Sequence, residues 1–127
     1  MRKTGARRAL IVDDYRDARE MYAEFLRFSG FDVVEACNGA EAIQRALETN
    51  PDIILMDLSL PIMDGWEATR RLKQDRRTAR IPIVALTGRT FAHDRQADWD
   101  AFLTKPCLPE DLVKKIDDVL ASTNRSE

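Results

Sequence analysis

The feature that most constrains the fold is a short, continuous apolar run at residues 53–56, which ends abruptly at Asp57. A run of this length without polar alternation is typical of a strand that is buried on both faces. Such strands occur in parallel sheets that carry helices on both sides. An acid directly after such a strand lies at the carboxyl edge of the sheet, where open α/β folds bind ligands. Asp57 is therefore the first candidate for a reactive group.

Similar apolar runs alternate along the chain with segments in which apolar residues recur at helical spacing. Strands are predicted at residues 9–12, 31–36, 53–56, 81–86 and 101–104, and helices at 15–29, 65–75 and 109–121. A further helix is marked by Ala42, Ile43, Ala46 and Leu47 and is ended by Asn50-Pro51. The charged segment 90–99 predicts a short additional helix, and Asn38-Gly39 predicts a turn. This order predicts an α/β fold with a five-stranded parallel sheet and helices on both faces.

The length of 127 residues predicts one domain, residues 1–127, with a core of about 8–121. The basic N-terminus, which includes Arg7 and Arg8, is expected to be a solvated tail rather than a phosphate-binding arm, and a polar tail is expected from Ser122. The net charge of −2 gives no indication of nucleic-acid binding. No apolar run approaches the roughly 20 residues that span a bilayer. We therefore expect a cytoplasmic domain without direct contact to nucleic acid or membrane.

The cysteine and histidine content argues against several kinds of site. Cys37 and Cys107 are far apart in sequence and are expected to be buried thiols. With His93 as the single histidine, a zinc site or a Ser-His-Asp triad has little basis.

Polar side chains that can take part in catalysis or metal binding lie at the ends of four predicted strands. Asp13 and Asp14 follow the first strand, Asp57 the third, Thr87 lies at the end of the fourth, and Lys105 follows the last. Because the carboxyl ends of parallel strands lie at one edge of the sheet, these side chains are expected to converge.

The chemistry of this group favours phosphoryl transfer. Three carboxylates in one crevice repel each other, and a hard cation such as Mg²⁺ relieves the repulsion while leaving room for phosphate oxygens. Lys105 adds a positive charge, Thr87 adds a hydroxyl donor, and the Asp57 carboxylate can act as the nucleophile. Taken singly, the residues have ordinary explanations; Asp14, for example, could be a helix N-cap.

The same segments resemble the receiver domains of two-component response regulators. The matching stretches are LIVDDY at 10–15, ILMDLSLPIMDG at 54–65, ALTG at 85–88 and FLTKP at 102–106. The resemblance implies a flavodoxin-like fold with strand order 2-1-3-4-5. It also implies a signalling switch rather than an enzyme. Such a switch catalyses only its own phosphorylation and slow autodephosphorylation. The implied phosphodonor is a histidine kinase or a histidine phosphotransfer domain, and the output partner is unknown.

Residue by residue, the resemblance makes Asp57 the phosphoacceptor. It implies a site for Mg²⁺, with Mn²⁺ as an alternative, formed by Asp13, Asp14, Asp57 and the main-chain carbonyl of Ser59. In this site Asp14 is a direct ligand, and Asp13 acts mainly through bound water.

The resemblance also assigns the residues that respond to the phosphoryl group. Lys105 pairs with that group and precedes a cis peptide to Pro106, Thr87 moves to hydrogen-bond it, and Phe102 is the aromatic switch. Gly88 leaves space beside the site. Ser59 and Arg89 lie at the positions that set the hydrolysis rate.

One segment departs from the family pattern. The stretch between Thr87 and Lys105 is shorter than expected by about four residues, close to one helical turn. This predicts a shortened fourth helix region and an altered output surface, unless a disordered piece is missing from the sequence. The short segment leaves one alternative open, a phosphorylation-independent interaction module, although the intact set of site residues argues against it. A second alternative, a phosphatase of the haloacid dehalogenase type, requires an acid where Ser59 stands.

Overall fold

The structure is a computed structural model, and it describes residues 7–58, 63, 65–88, 99–105 and 107–125. Within these residues the chain forms five strands and four helices. In chain order they are β1 (Arg8–Val12), α1 (Arg16–Phe28), β2 (Asp32–Ala36), α2 (Gly39–Thr49), β3 (Ile53–Asp57), α3 (Gly65–Gln74), β4 (Ile83–Thr87), β5 (Ala101–Thr104) and α4 (Pro109–Arg125).

All five strands are parallel, and their order in the sheet is β2-β1-β3-β4-β5. The predicted fold class and strand order are therefore confirmed. Val12 lies opposite Ala36 on one side and Met56 on the other, so the carboxyl ends of β1, β2 and β3 are level.

The continuous apolar runs are explained by burial on both faces of the sheet. Every residue of β3 and β4 is buried. Ile11 and Leu55 pack in a cluster with residues of α1 and α4, whereas Leu10 and Met56 pack in a second cluster with residues of α2 and α3. Alternate residues of each central strand thus face opposite helical layers, which is why β3 and β4 carry polar residues only at their carboxyl ends, Asp57 and Thr87.

Local signals set several helix boundaries. Gly30 has φ = 101°, a left-handed conformation that glycine adopts without strain after the end of α1. The turn predicted at Asn38-Gly39 is instead the start of α2. The Asn38 side chain accepts a hydrogen bond from the Glu41 main-chain N–H (2.8 Å), and the Glu41 carboxylate accepts one from the Cys37 N–H (2.9 Å). These two bonds satisfy main-chain donors that a helix start otherwise leaves unpaired.

Both predicted tails were partly wrong. Arg8 is the first residue of β1, and its guanidinium donates to the Asp32 carboxylate (2.8 Å) and to the Thr49 carbonyl (2.7 Å). At the other end, α4 continues beyond Ser122 to Arg125. Polar composition did not reveal either extension, because the partners of Arg8 lie far away in sequence and an exposed helix end needs no apolar residues.

Helical spacing placed Tyr15, Ala18, Met21, Tyr22, Phe25 and Leu26 on one apolar stripe of the first helix, and the structure buries only part of that stripe. Tyr15 lies just before α1 and is 63% exposed, and Met21 is 46% exposed. The buried positions of α1 are Tyr22, Ala23 and Leu26, of which Ala23 lies outside the predicted stripe. The two cysteines are free thiols that are half-buried rather than buried.

The start of β5 is fixed to its neighbours by Asp100. The Asp100 main-chain N–H donates to the Ile83 carbonyl (2.8 Å), and its carboxylate accepts from the Ile83 N–H (2.8 Å) and from Lys73 Nζ (3.1 Å). The helix predicted at 90–99 and the shortened region lie, except for Trp99, outside the described residues. Among the helices that the structure does describe, none combines the length and apolar character needed to cross a bilayer.

Candidate functional site at the carboxyl edge of the sheet

Three carboxylates meet at the carboxyl edge of the central strands. Asp13 and Asp14 follow β1 directly, and Asp57 is the last residue of β3. One oxygen from each side chain lies within 4.8 Å of the others. Carboxylate oxygens at this spacing can hold a hard divalent cation such as Mg²⁺. The structure thus brings together the three acids that the sequence placed at strand ends.

The three acids differ sharply in their exposure. Asp13 is completely buried, Asp57 is 6% exposed, and Asp14 is exposed. The N-cap interpretation of Asp14 was wrong, because the N-cap residue of α1 is Tyr15 and α1 has no side-chain cap bond there. Asp14 is therefore the acid of this group that an ion or ligand from solvent meets first.

Lys105 neutralises part of this negative charge. Its ammonium lies 2.8 Å from Asp13 Oδ2 and 3.4 Å from Asp57 Oδ2. Burial acts to lower the pKa of Lys105, but the hydrogen bond that its ammonium donates to Asp13 and the charges of Asp57 and Asp13 outweigh it, so the pKa is raised above its usual value. Lys105 is therefore a fixed positive charge beside the Asp57 carboxylate at neutral pH.

Each hydrogen-bonding group of Asp13 is engaged. Its main-chain N–H donates to Ala36 O (3.1 Å), and its main-chain carbonyl accepts from the Arg19 guanidinium (2.9 Å). Its carboxylate accepts from the Tyr15 N–H (2.9 Å) through Oδ1 and from Lys105 through Oδ2. The orientation of Asp13 is thus determined by four partners before any ion binds.

Thr87 and Lys105 are joined through the main chain of neighbouring strands. Thr87 is the last residue of β4 and is 4% exposed, and its carbonyl accepts a hydrogen bond from the Lys105 N–H (2.6 Å). Phe102 on β5 is half-buried and packs against Leu58 and Ala85. Thr87 and Phe102 therefore lie on adjacent strands, β4 and β5, and β4 is the strand that pairs with β3 and Asp57.

Two aromatic rings border this region. Trp66 and Trp99 pack with Phe102 in the same small cluster, and the centroids of the two indole rings are 4.7 Å apart at an interplanar angle of 58°. A pair of this kind is favourable beyond its area burial. The pair connects the start of α3 to the residue that precedes Asp100 and β5.

Several predicted site features lie outside the described residues: the Ser59 carbonyl, Arg89 and the peptide to Pro106. Gly88 is described and exposed, and a Cβ added there would meet no heavy atom of the described residues within 4 Å. Within the part of the chain that the structure describes, Gly88 therefore has open space around it.

Sequence reasoning missed two contributions to the site. It read Gly65 only as the start of a helix, yet a Cβ at this position would collide with the main-chain oxygen of Asp57. It also gave no role to Arg19, whose contact with the Asp13 carbonyl depends on the way α1 packs. The Asp-Gly dipeptide that ends at Gly65 was a usable sequence signal for the glycine, whereas nothing local pointed to the arginine.

The comparison with known families shows to which family this fold belongs. The family model described as the response regulator receiver domain matches residues 9–117. The chain belongs to this family. Receiver domains are the phosphoacceptor signalling domains of two-component response regulators and are not classical enzymes. The acidic cluster found in this receiver domain can bind a divalent metal.

Individual relatives agree with the family model. Protein PilH of Pseudomonas aeruginosa is 39% identical over 121 residues, which cover 90% of this chain and 98% of PilH. The phosphate regulon transcriptional regulatory protein PhoB of the same organism is 38% identical over 118 residues, 90% of this chain and 52% of PhoB. The chain thus spans about half the length of the first curated relatives that it matches.

A solved structure resembles this one closely. The receiver domain of the sensor histidine kinase PA1611 from P. aeruginosa PAO1 has a TM-score of 0.84 and 28% sequence identity, with 92% of this chain and 99% of that chain covered. That structure has a magnesium ion coordinated in its active site cleft.

Proposed function

We propose that this receiver domain, comprising residues 1–127, is a cytoplasmic switch that accepts a phosphoryl group on Asp57 in a Mg²⁺-dependent reaction. The phosphodonor is a phosphohistidine of a sensor kinase or of a phosphotransfer protein. The observation that carries this proposal is the position of the Asp57 carboxylate, 3.4 Å from the Lys105 ammonium and within 4.8 Å of two further acids.

The proposed transfer uses the carboxylate as a nucleophile. An oxygen of Asp57 forms a bond to phosphorus as the bond between phosphorus and the donor imidazole nitrogen breaks, and the imidazole retains that electron pair. Lys105 pairs with the transferred group because its ammonium already contacts Asp57. Thr87, at the end of the neighbouring strand, supplies a hydroxyl donor to a phosphoryl oxygen.

The residues at this edge fit a hard divalent ion. Asp13, Asp14 and Asp57, with the main-chain carbonyl of Ser59, would hold Mg²⁺, with Mn²⁺ as an alternative. When bound, the ion offsets the mutual repulsion of the acids and neutralises charge on the phosphoryl oxygens. The magnesium ion in the PA1611 receiver domain supports the same choice here. Because both oxygens of Asp13 are engaged by protein donors and Asp14 is exposed, Asp14 is the better direct ligand of these two acids.

The response to phosphorylation is proposed to pass through Thr87 and Phe102. A protein phosphate adds about −1.5 to −2 charges at pH 7, so Lys105 and Thr87 are drawn towards residue 57. Movement of Thr87 changes the space available to the half-buried Phe102 ring on the adjacent strand. The output partner that reads this change is unknown. We propose that the receiver domain itself does not contact nucleic acid, whereas PhoB is a transcriptional regulatory protein as a whole.

The experiment that tests this function is phosphorylation by acetyl phosphate, followed by intact mass. With Mg²⁺ present, wild type is expected to gain one phosphoryl group, and Asp57→Asn and a sample in EDTA are expected to gain none. Continuous turnover of acetyl phosphate would indicate a phosphatase instead. Absence of labelling on residue 57 would leave a phosphorylation-independent interaction module, the alternative that the short segment 88–104 suggested.

A further inference from the structure

One face of α1 contacts the main chain on both sides of the proposed site. Arg19 donates from Nη1 to the Asp13 carbonyl (2.9 Å). Tyr22, three residues further along the helix, donates from its hydroxyl to the Cys107 carbonyl (3.3 Å). Residues three apart on a helix lie on the same face. The two contacts therefore reach the acid side and the lysine side of the site from a single rigid element.

The Arg19 contact affects the side-chain directions of two acids, Asp13 and Asp14, at the same time. The carbonyl of Asp13 and the N–H of Asp14 belong to one planar peptide unit. A donor fixed to that carbonyl stops the unit from rotating, and the two side chains project from its two ends. Without this hydrogen bond, rotation of the peptide unit would redirect the Asp13 and Asp14 carboxylates relative to Asp57.

Arg19 is itself held in place by a second contact. Its Nε donates to Glu35 Oε1 on β2 (3.0 Å), and its side chain is only 16% exposed. The other Glu35 oxygen accepts from Arg27 (3.3 Å), which lies two turns further along α1 and is 51% exposed. Glu35 is thus shared by two arginines, of which Arg19 is the one that contacts the Asp13 carbonyl in the described residues.

We propose that Arg19 is a positioning residue for the metal-binding acids, and that Tyr22 has the same role for the segment that carries Lys105. The proposal rests on the proposed function only in treating the acid cluster as a metal site. Tyr22 is 3% exposed, and burial is the main cause that raises the pKa of its hydroxyl to about 12, so the group remains a hydrogen-bond donor at neutral pH.

The test compares Arg19→Met with Arg27→Met. Both variants remove one arginine from Glu35, so a general effect of the ion pair on stability is common to both. Partners of a metal ligand contribute about 10- to 100-fold to metal affinity, and Arg19 acts through the main chain. Arg19→Met is therefore expected to raise the Kd for Mg²⁺, measured by calorimetry, about tenfold. Arg27→Met is expected to change it by less than about twofold, as for an exposed ion pair.

A metal-free measurement gives an independent result. In EDTA, the amide resonance of Asp14 is expected to shift in Arg19→Met and to stay in place in Arg27→Met. Arg19→Lys keeps the charge but cannot bridge both acceptors as the planar guanidinium does, so its Kd is expected to lie between those of wild type and Arg19→Met. Equal Kd values in the two methionine variants, or a wild-type Kd in Arg19→Lys, would overturn the positioning role.

Tyr22→Phe tests the lysine side, because it removes only the hydroxyl. Its Kd for Mg²⁺ is expected to match wild type, while the rate of labelling by acetyl phosphate at saturating Mg²⁺ falls about threefold, the order of one neutral hydrogen bond. An unchanged rate would overturn the role of Tyr22.

The outcomes separate this inference from the proposed function. If wild type binds Mg²⁺ but is never labelled on Asp57, the proposed function is wrong, and the comparison of Kd values for Mg²⁺ still tests the role of Arg19. If wild type is labelled and Arg19→Met binds Mg²⁺ like wild type, only the inference fails. Urea unfolding of each variant in EDTA verifies that the compared proteins are folded.

Discussion

The two ends of the central sheet both carry charged residues, and they differ in how the acids are arranged. At the amino edge, Asp32 accepts a hydrogen bond from the Arg8 side chain and Asp52 accepts one from the Arg8 main-chain N–H (2.8 Å each). At the carboxyl edge, three carboxylates converge within 4.8 Å, and Lys105 contacts two of them. Acids that each bond a separate donor hold chain segments together, whereas acids that converge on one point leave capacity for an added cation. The convergence of the acids, rather than the presence of charges, distinguishes the candidate functional edge.

The largest effect is expected where the main chain approaches itself behind Asp57. In Gly65→Ala, the added Cβ meets the main chain of Asp57 and Leu58, which cannot move independently of β3. We expect the free energy of unfolding in urea to fall by about 3 kcal/mol, the upper range for overpacking. Gly88→Ala is the control, because its Cβ has open space among the described residues and the expected change is within about 0.5 kcal/mol. Equal losses in both variants would contradict this explanation.

The next effect tests the comparison of the two edges directly. Lys105→Met leaves the fully buried Asp13 carboxylate without its ammonium partner, and we expect a loss of about 2 kcal/mol in EDTA, less than for a wholly buried pair because Lys105 is partly exposed. Mg²⁺ should restore much of this loss by supplying positive charge. Arg8→Met at the amino edge should lose about 1 kcal/mol, since Asp32 is 44% exposed, and Mg²⁺ should not restore it. If Mg²⁺ restored the stability of both variants, the proposed difference between the two edges would be wrong.

A smaller effect is expected when Mg²⁺ is added to the wild-type protein, because the acids at the carboxyl edge can bind it. An ion that binds only the folded state stabilises it by about 1.4 kcal/mol at a concentration of roughly ten times Kd. We expect this gain on addition of Mg²⁺ to wild type, and its loss in Asp14→Asn, which removes the exposed acid of the cluster. Asp32→Asn at the amino edge is the matched control and should keep the gain. A full gain in Asp14→Asn would show that the ion binds elsewhere.

The smallest effect concerns pH. The pKa of Lys105 is raised in the folded state, and that of Tyr22 is raised to about 12, so each contributes stability that is fully present below its unfolded pKa. This contribution is lost as the pH rises through the folded values, above about 10. Between pH 7 and pH 9 these two groups should therefore leave the unfolding midpoint unchanged. The decline above pH 10 should be shallower in Tyr22→Phe than in wild type, and an identical decline would refute the assignment.

The short segment between Thr87 and Lys105 marks a limit of prediction from family pattern. The family pattern suggested a changed surface there, and residues 89–98 lie outside the described part of the chain. The structure does describe how β5 begins: Asp100 forms hydrogen bonds with Ile83 in both directions. The approach of Lys105 to Asp57 thus follows from a local tie between β4 and β5, which no family motif encodes.

The sequence by itself determined the strands, their parallel arrangement and the acids at their carboxyl ends, and the family resemblance supplied the strand order. Apolar runs and helical spacing are local patterns, and parallel topology then brings strand ends together wherever they lie in the chain. Only the tertiary structure decided that Arg8 belongs to the sheet, that Tyr15 and Met21 face solvent, and that Arg19 holds the Asp13 carbonyl. These outcomes depend on how elements distant in sequence pack against each other. The composition of a single segment does not show which distant elements it will contact.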